Sequence, residues 1–350
     1  MAGSRHVLLR WGLPRDPRAG EHVLGFLLTA VVTVVVTRGI LELTGFPQIG
    51  GASLHIAHVL WGGLLMALAL LLALCFAGPV VRPTIAFVGG VGFGLFIDEV
   101  GKFLTKDNDY FFRPAPMIMY LTCVGLLLLA DALVGRRPAD ASERLAAAAD
   151  HAVAGLAGGL SPQRRVAAEA LLREGRGARG AEEVEALLAV VPEDHSELPD
   201  PLEVATRALR ELLVGVVRAS WSLAVAGALL VLVVGGGVVI VVTADSDAPA
   251  WSGWFVVAST AVVLACALRA WMLVAGRHQG RAVEWLRRAF TVELLVTVVA
   301  LYRIDPWPAT AVMAVALLGL GVALAERARL AQTGEDIDRA GGPRVPTAQE

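Results

Sequence analysis

His55 and His58 lie three residues apart at the start of an apolar run, so on a helix both imidazoles face one point. Asp98 and Glu99 stand together near the end of another apolar run, with Lys102 one turn further on. Arg38 and Glu42, four residues apart, share a face at the end of a third. The loop beyond Lys102 carries Asp107, Asn108 and Asp109. These residue types allow three chemistries. His55, His58 and the Asp98 carboxylate could ligate a divalent metal such as zinc, although the spacing is not HExxH. The same histidines and carboxylates could serve as general acid and base on a lipid-soluble or periplasmic substrate. Arg38 and the lysines could hold an anionic group such as phosphate. A purely structural alternative also fits: ion pairs Arg38–Glu42 and Lys102–Asp98 beside a satisfied histidine pair.

The stretch Gly89–Phe112, GGVGFGLFIDEVGKFLTKDNDYFF, stands apart in composition. It holds both lysines of the chain, its one asparagine and five of its 11 phenylalanines. Elsewhere arginine supplies positive charge, and Ala, Val, Leu and Gly supply bulk. A local reversal of so strong a bias marks residues kept for their chemistry.

The elements that must position these groups follow from hydropathy. The chain has 350 residues, 56% of them hydrophobic, with a mean hydropathy of +0.65. Soluble domains hold about 45–50% apolar residues. Several apolar runs reach the roughly 20 residues that cross a bilayer as a helix. They are continuous, which excludes the alternating pattern of a β-barrel. The fold class is therefore all-α: a polytopic helical membrane protein with about eight transmembrane helices and a helical cytoplasmic insertion. Its first partner is the lipid bilayer. A net charge of −2 argues against a nucleic-acid partner. Cys75, Cys123 and Cys266 all fall inside apolar spans and read as small buried hydrophobes. Arg5, Arg10, Arg15 and Arg18 precede a first apolar run that lacks a cleavage site, so that run reads as a retained span.

Residues 1–21 form a cytoplasmic N-terminus, and 22–134 a four-span unit with spans near 22–43, 54–77, 83–105 and 116–134. Residues 135–219 are rich in Ala, Glu and Arg and read as a cytoplasmic domain of short helices. Ser161 followed by Pro162 is a helix start, and Gly175–Gly180 a break. Glu182–Glu203 holds eight acidic residues and no Lys or Arg, and 135–219 as a whole reads as a solvated helical linker domain or as a module for a cytoplasmic protein partner. Residues 220–326 form a second four-span unit, with spans near 220–243, 253–275, 285–303 and 307–326. The basic segment Arg277–Arg288 lies at the membrane surface. Arg269 and Glu293 within this unit read as isolated features that packing or snorkelling explains. Residues 327–350 read as a disordered cytoplasmic tail.

Arginines cluster on alternate connections, and residues 244–252 hold neither Lys nor Arg. The positive-inside rule then places both termini in the cytoplasm. In that topology Arg38, Glu42, His55, His58, Asp98, Glu99 and Lys102 approach one outer face. Each ionisable group at a helix centre costs roughly 2.5–3.5 kcal/mol on insertion scales. The cheaper arrangement turns them toward one another around a polar pocket. Gly90, Gly94, Asp98 and Lys102 recur every fourth residue, so small residues would admit a neighbouring helix below the charges.

The blocks GFPQIGG (45–51), LHIAHVLWGG (54–63), GFGLFIDEVGKF (92–103) and DNDYFF (107–112) resemble those of a family of multi-pass bacterial membrane proteins without an assigned activity. The resemblance covers spans one to four. The expected function is binding or transport of a small molecule, ion or lipid at the outward-facing site. The alternatives are a membrane-embedded, metal-dependent enzyme, and a structural or signalling protein acting through 135–219.

Overall fold

The computed structural model describes residues 12–44, 58–106, 112–134, 139–194, 200–201, 203, 211, 222–243, 248–276 and 278–340, with the side chains of 328 and 331–340 excepted. The described residues are helical, without a strand beyond one isolated bridge between Leu160 and Glu193. Seven helices are long and apolar enough to cross a membrane. Their surfaces confirm the solvent they are built for. Leu60, Leu64, Leu68, Leu71 and Leu74 all stand exposed along one helix, an apolar face that water would not tolerate and lipid does. The chain is an all-α polytopic membrane protein.

It forms two compact units, Met1–Phe112 with Leu121–Ala205, and Arg113–Tyr120 with Thr206–Glu350. In the first, α1 (Ala19–Leu43), α2 (His58–Cys75) and α3 (Val81–Asp98) form a tight three-helix sheaf. A short helix, α4 (Val100–Leu104), continues α3 after a break, and α5 is Ala115–Val134. Glycine sets the spacing. A Cβ on Gly90 would lie 2.5 Å from the Phe26 carbonyl oxygen of α1, and one on Gly94 2.6 Å from that of Ala30. On its other face, α3 meets α2 through Gly92 and Gly62, where a Cβ would lie 2.7–2.8 Å from the opposing carbonyl. Contacts with α1 rise in step with α3 numbering and contacts with α2 fall. So α1 and α3 run parallel and α2 antiparallel. The end of α1, the start of α2 and the end of α3 therefore share one end of the sheaf.

The same unit carries α6 (Ala141–Gly158), α7 (Pro162–Gly175) and α8 (Ala181–Val190) around a core of Leu145, Ala148, Ala152, Leu160, Ala168, Leu172, Leu188 and Val191. The Ser161 hydroxyl caps α7 by accepting from the Arg164 N–H, with Pro162 at the first position. Asp140 and Glu143 form a capping box at the start of α6. Glu143, 1% exposed, also accepts from Arg15 at 2.8 and 2.7 Å, and Arg15 donates to the Val134 carbonyl. Arg82 bridges Asp16 and Asp150. Two charged junctions, Arg15–Glu143 and Arg82–Asp150, thus tie the helical domain to the ends of the spans. His151, buried beside them, is pushed down to about 4 by burial and stays neutral.

In the second unit, α9 (Ser222–Thr243) and α10 (Ala250–Ala275) are followed by α11 (Gln279–Val292), a π turn (Glu293–Thr297) and α12 (Val298–Ile304). The last helix, α13, is Pro306–Ala340. The run Gln279–Ile304 is continuous and lies antiparallel to both neighbours: Thr297 meets Ser259 of α10, and Tyr302 meets Thr310 and Met313 of α13. At 1.5 Å per residue it is about 39 Å long, enough to cross a bilayer. The span expected near 285–303 is nevertheless not among the seven long apolar helices, because this run is interrupted by the π turn and amphipathic where it starts. There Glu284 pairs with Arg287, Arg288 and Arg327, and the Arg288 guanidinium lies 4.8 Å from the Trp285 ring centroid.

Two outcomes follow. Gly62→Ala forces α2 and α3 apart and is expected to destabilise the protein by about 1–3 kcal/mol, read as a lower melting temperature in detergent. Gly63→Ala meets open space and is expected to leave it unchanged. The Arg15 hydrogen bonds hold the Glu143 carboxyl down at about 2, below its ordinary 4.5. Its contribution to stability is therefore complete above pH 4.5 and is lost as pH falls toward 2. Acid unfolding of Glu143→Gln should begin from a less stable protein and show a shallower pH dependence across that window.

Candidate functional site

The shared end of the α1–α2–α3 sheaf gathers the charges. Helix α3 stops at Asp98, because Glu99 departs to φ −90°, ψ 9° and α4 starts a new turn. Both carboxylates at the break point inward: Asp98 is 0% and Glu99 1% exposed. A buried carboxylate must be paired, and each finds its cation from a different place.

Arg38 reaches across from α1. Its Nε donates to Asp98 Oδ1 at 2.6 Å, and its Nη2 to the Asp98 carbonyl at 3.2 Å. One guanidinium thus neutralises the carboxylate and satisfies a carbonyl left open by the end of α3. Glu99 does the reverse job for α2. Its Oε1 accepts the backbone N–H of His58, the first residue of α2, at 2.9 Å. The carboxylate therefore caps an N-terminal donor that has no partner within its own helix. The same oxygen lies 3.1 Å from His58 Nδ1 and 3.2 Å from Lys102 Nζ. One oxygen gathers the start of α2, an imidazole and an ammonium.

The pairing differs from the ion pairs that spacing along single helices suggests. Arg38 takes Asp98 instead of Glu42, which is exposed on α1. Lys102 takes Glu99 because the break at Glu99 moves it off the continuous α3 face. Of the expected site residues, Arg38, His58, Asp98, Glu99 and Lys102 come together, and Glu42 does not join them. His55, Asp107, Asn108 and Asp109 lie outside the described residues. Of the proposed metal ligands, His58 Nδ1 faces Glu99 and Asp98 Oδ1 faces Arg38. No group of three or more His, Cys, Asp or Glu among the described residues is placed to hold a metal.

The second unit holds polar features that sequence reading passed over. A cavity of about 210 Å³ is lined by Arg113, Thr243, Arg303 and Asp305, among others. Glu293 is wholly buried at the π turn. A carboxylate inside an apolar run was the available signal for Glu293. Its significance depends on neighbours that spacing along the chain does not reveal.

Comparison with protein-family models, with curated proteins and with solved structures gives no match. The geometry itself must carry the functional reading.

Removing Arg38 takes from the buried Asp98 both its guanidinium hydrogen bond and the donor to its carbonyl. Arg38→Ala is expected to cost about 3 kcal/mol or more. Arg38→Ala combined with Asp98→Asn should recover part of that loss, since no bare carboxylate remains. Melting temperatures of the purified single and double variants in detergent check this.

Proposed function

We propose that the α1–α3 end of this multi-pass membrane protein is an outward-facing binding site for an anionic ligand, a small molecule or a lipid headgroup, used for binding or transport. One observation carries the reading. The acidic groups are sealed beneath the surface, while Arg38, His58 and Lys102 keep 20, 28 and 22% of their side chains exposed above them. Their nitrogens would supply the donor set that phosphate and carboxylate ligands need. The buried carboxylates anchor these donors in fixed geometry, so a ligand meets them already positioned.

The chain is read as resident in the bacterial cytoplasmic membrane with both termini inside. Eight spans, with Gln279–Ile304 counted as the seventh, agree with the distribution of arginine. The helical domain of α6–α8 then lies in the cytoplasm.

A second reading is favoured by the contact between His58 and Glu99. An imidazole whose Nδ1 is held by a carboxylate is oriented for proton transfer at Nε2. In a membrane-embedded enzyme His58 would be the base, Glu99 its positioning residue, and Arg38 with Lys102 the holders of an anionic substrate. A divalent metal at His55, His58 and Asp98 belongs to the same reading. It would require Asp98 to exchange its bond with Arg38.

Lys102 separates ligand binding from folding better than Arg38, because its amine bonds at the rim. Inorganic phosphate or phosphatidylglycerol in mixed micelles is expected to raise the melting temperature of the wild-type protein. Lys102→Gln should weaken the apparent affinity about ten-fold, the loss of one charge-assisted contact of about 1.4 kcal/mol. Lys102→Arg should largely retain it. A wild-type protein indifferent to both anions overturns the binding reading. Labelling of Asn108→Cys in intact cells by a membrane-impermeant thiol reagent supports the outward orientation; labelling confined to permeabilised cells overturns it.

A further inference from the structure

Glu293 lies in the second unit, 11 residues before the end of α12 at Ile304, about 16 Å into a span at 1.5 Å per residue. It is 0% exposed. Its Oε2 is 2.7 Å from Thr297 Oγ1, which is 2.8 Å from Ser259 Oγ on α10. Ser259 Oγ in turn lies 3.1 Å from the Val256 carbonyl oxygen. Among the described residues Glu293 Oε1 has no hydrogen-bond partner.

Protons can be counted along this chain. Four oxygens in a row make three links, and each link needs one hydrogen. The Val256 carbonyl brings none. Ser259 and Thr297 bring one each. If Glu293 is a carboxylate, one link has no hydrogen and two lone pairs face each other. If Oε2 carries a proton, every link is filled in one direction: Glu293 donates to Thr297, Thr297 to Ser259, and Ser259 to Val256. Oε1 is then a neutral carbonyl oxygen, for which lacking a partner costs far less than for a carboxylate.

Among the described residues no other neutralisation is at hand. The charged groups with described side chains on these packed elements are Arg269 on α10, Arg281, Glu284, Arg287 and Arg288 on α11, Arg303 on α12, and Glu326, Arg327 and Arg329 on α13. Glu284 and Glu326 are engaged with arginines of their own ends. Arg269 and Arg303 are each ten residues along the helix from the Ser259–Glu293 level. Among the described residues no ion pair joins any of them to Glu293.

The backbone is adapted to the same point. In the π turn the Val298 N–H bonds to the Glu293 carbonyl, five residues back, so the α-helical ladder is shifted by one residue. The Leu294 carbonyl accepts instead from the Tyr120 hydroxyl at 2.6 Å. A π turn costs regular hydrogen bonding, and such turns concentrate at functional sites.

We propose that Glu293 is an intramembrane proton-binding site, holding a proton on Oε2 that heads the Thr297–Ser259–Val256 hydrogen-bond chain beside the π turn. The proton comes from, and returns to, the aqueous phase as the O–H bond forms and breaks. Loss of the proton leaves a carboxylate with no cation, so release requires that water enter or the π turn re-register. Proton binding in this unit stands independently of the anionic ligand proposed for the first.

Infrared difference spectroscopy of the full-length protein in a bilayer tests this. At neutral pH the wild type should show a protonated-carboxyl C=O band that is absent in Glu293→Gln. Thr297→Val should move that band, because the carboxyl loses its acceptor, without removing it. Glu293→Gln, a neutral isostere whose amide can donate to Thr297, should melt within a few degrees of wild type, whereas Glu293→Ala should melt lower. A spectrum with no Glu293-dependent carboxylic-acid band at neutral pH overturns the proposal. So does stabilisation by sodium ions of the wild type but not of Glu293→Gln, which would assign the site to a metal cation.

Discussion

A carboxylate below the membrane surface has to be neutralised, and much of this structure is arranged around that requirement. Moving an ion into a low-dielectric interior carries a penalty of several kcal/mol even after relaxation. Asp98 and Glu99 are buried acids at one end of the first unit's spans, and each is matched to a cation. Neither pairing is a simple exchange of charges. Arg38 also takes the open carbonyl of Asp98, and Glu99 also takes the open N–H of His58. The charges therefore finish helix ends that would otherwise be unsatisfied. Three helices are joined where they would be weakest.

That joint depends on close approach lower in the sheaf. Carbonyl oxygens of α1 and α2 sit where a Cβ on α3 would be, at Gly90, Gly94 and Gly92. Lipid offers helices little hydrophobic reason to associate, so backbone proximity and dispersion must hold them. The same proximity aligns the upper ends, because α1 and α3 run parallel with the Phe26–Gly90 and Ala30–Gly94 levels in register. Continuing that register sets Val34 level with Asp98, and Arg38, one turn further along α1, reaches back to it. Small residues beneath and charges above form one device, and neither part suffices alone.

The helical membrane class, apolar faces and the placement of helix starts were legible in the sequence because they are local or periodic; the run near 285–303, expected as a span, is amphipathic at its start and is not among the seven long apolar helices. Ser161–Pro162 announces α7, and runs of Leu and Val announce spans. The gathering of Arg38, His58, Asp98, Glu99 and Lys102 was also legible, since topology places their helix ends on one face. The partners were not. Fourfold spacing suggested Lys102 with Asp98 and Arg38 with Glu42, but it assumes an unbroken helix. The break at Glu99 rotates Lys102 away from that face, and only the packed backbone shows it. Glu293 was harder still. A lone glutamate in an apolar run reads as a packing accident until Ser259, 34 residues earlier, is seen beside Thr297.

Two kinds of buried acid thus coexist in one chain, and the difference between them is physical. Where cationic side chains can reach, as at Asp98 and Glu99, a carboxylate is held as an ion and becomes part of a rigid frame. Changing its proton content would break several bonds together, so such a group suits positioning better than exchange. Where hydroxyls and a carbonyl are the available partners, as at Glu293, a proton is the simplest cation the site can hold. Adding or removing it changes one link in a chain of three. Groups of the first kind fix the geometry offered to a ligand. A group of the second kind can change state at moderate cost, and the π turn beside it is where the backbone of the run Gln279–Ile304 has already given up regular bonding.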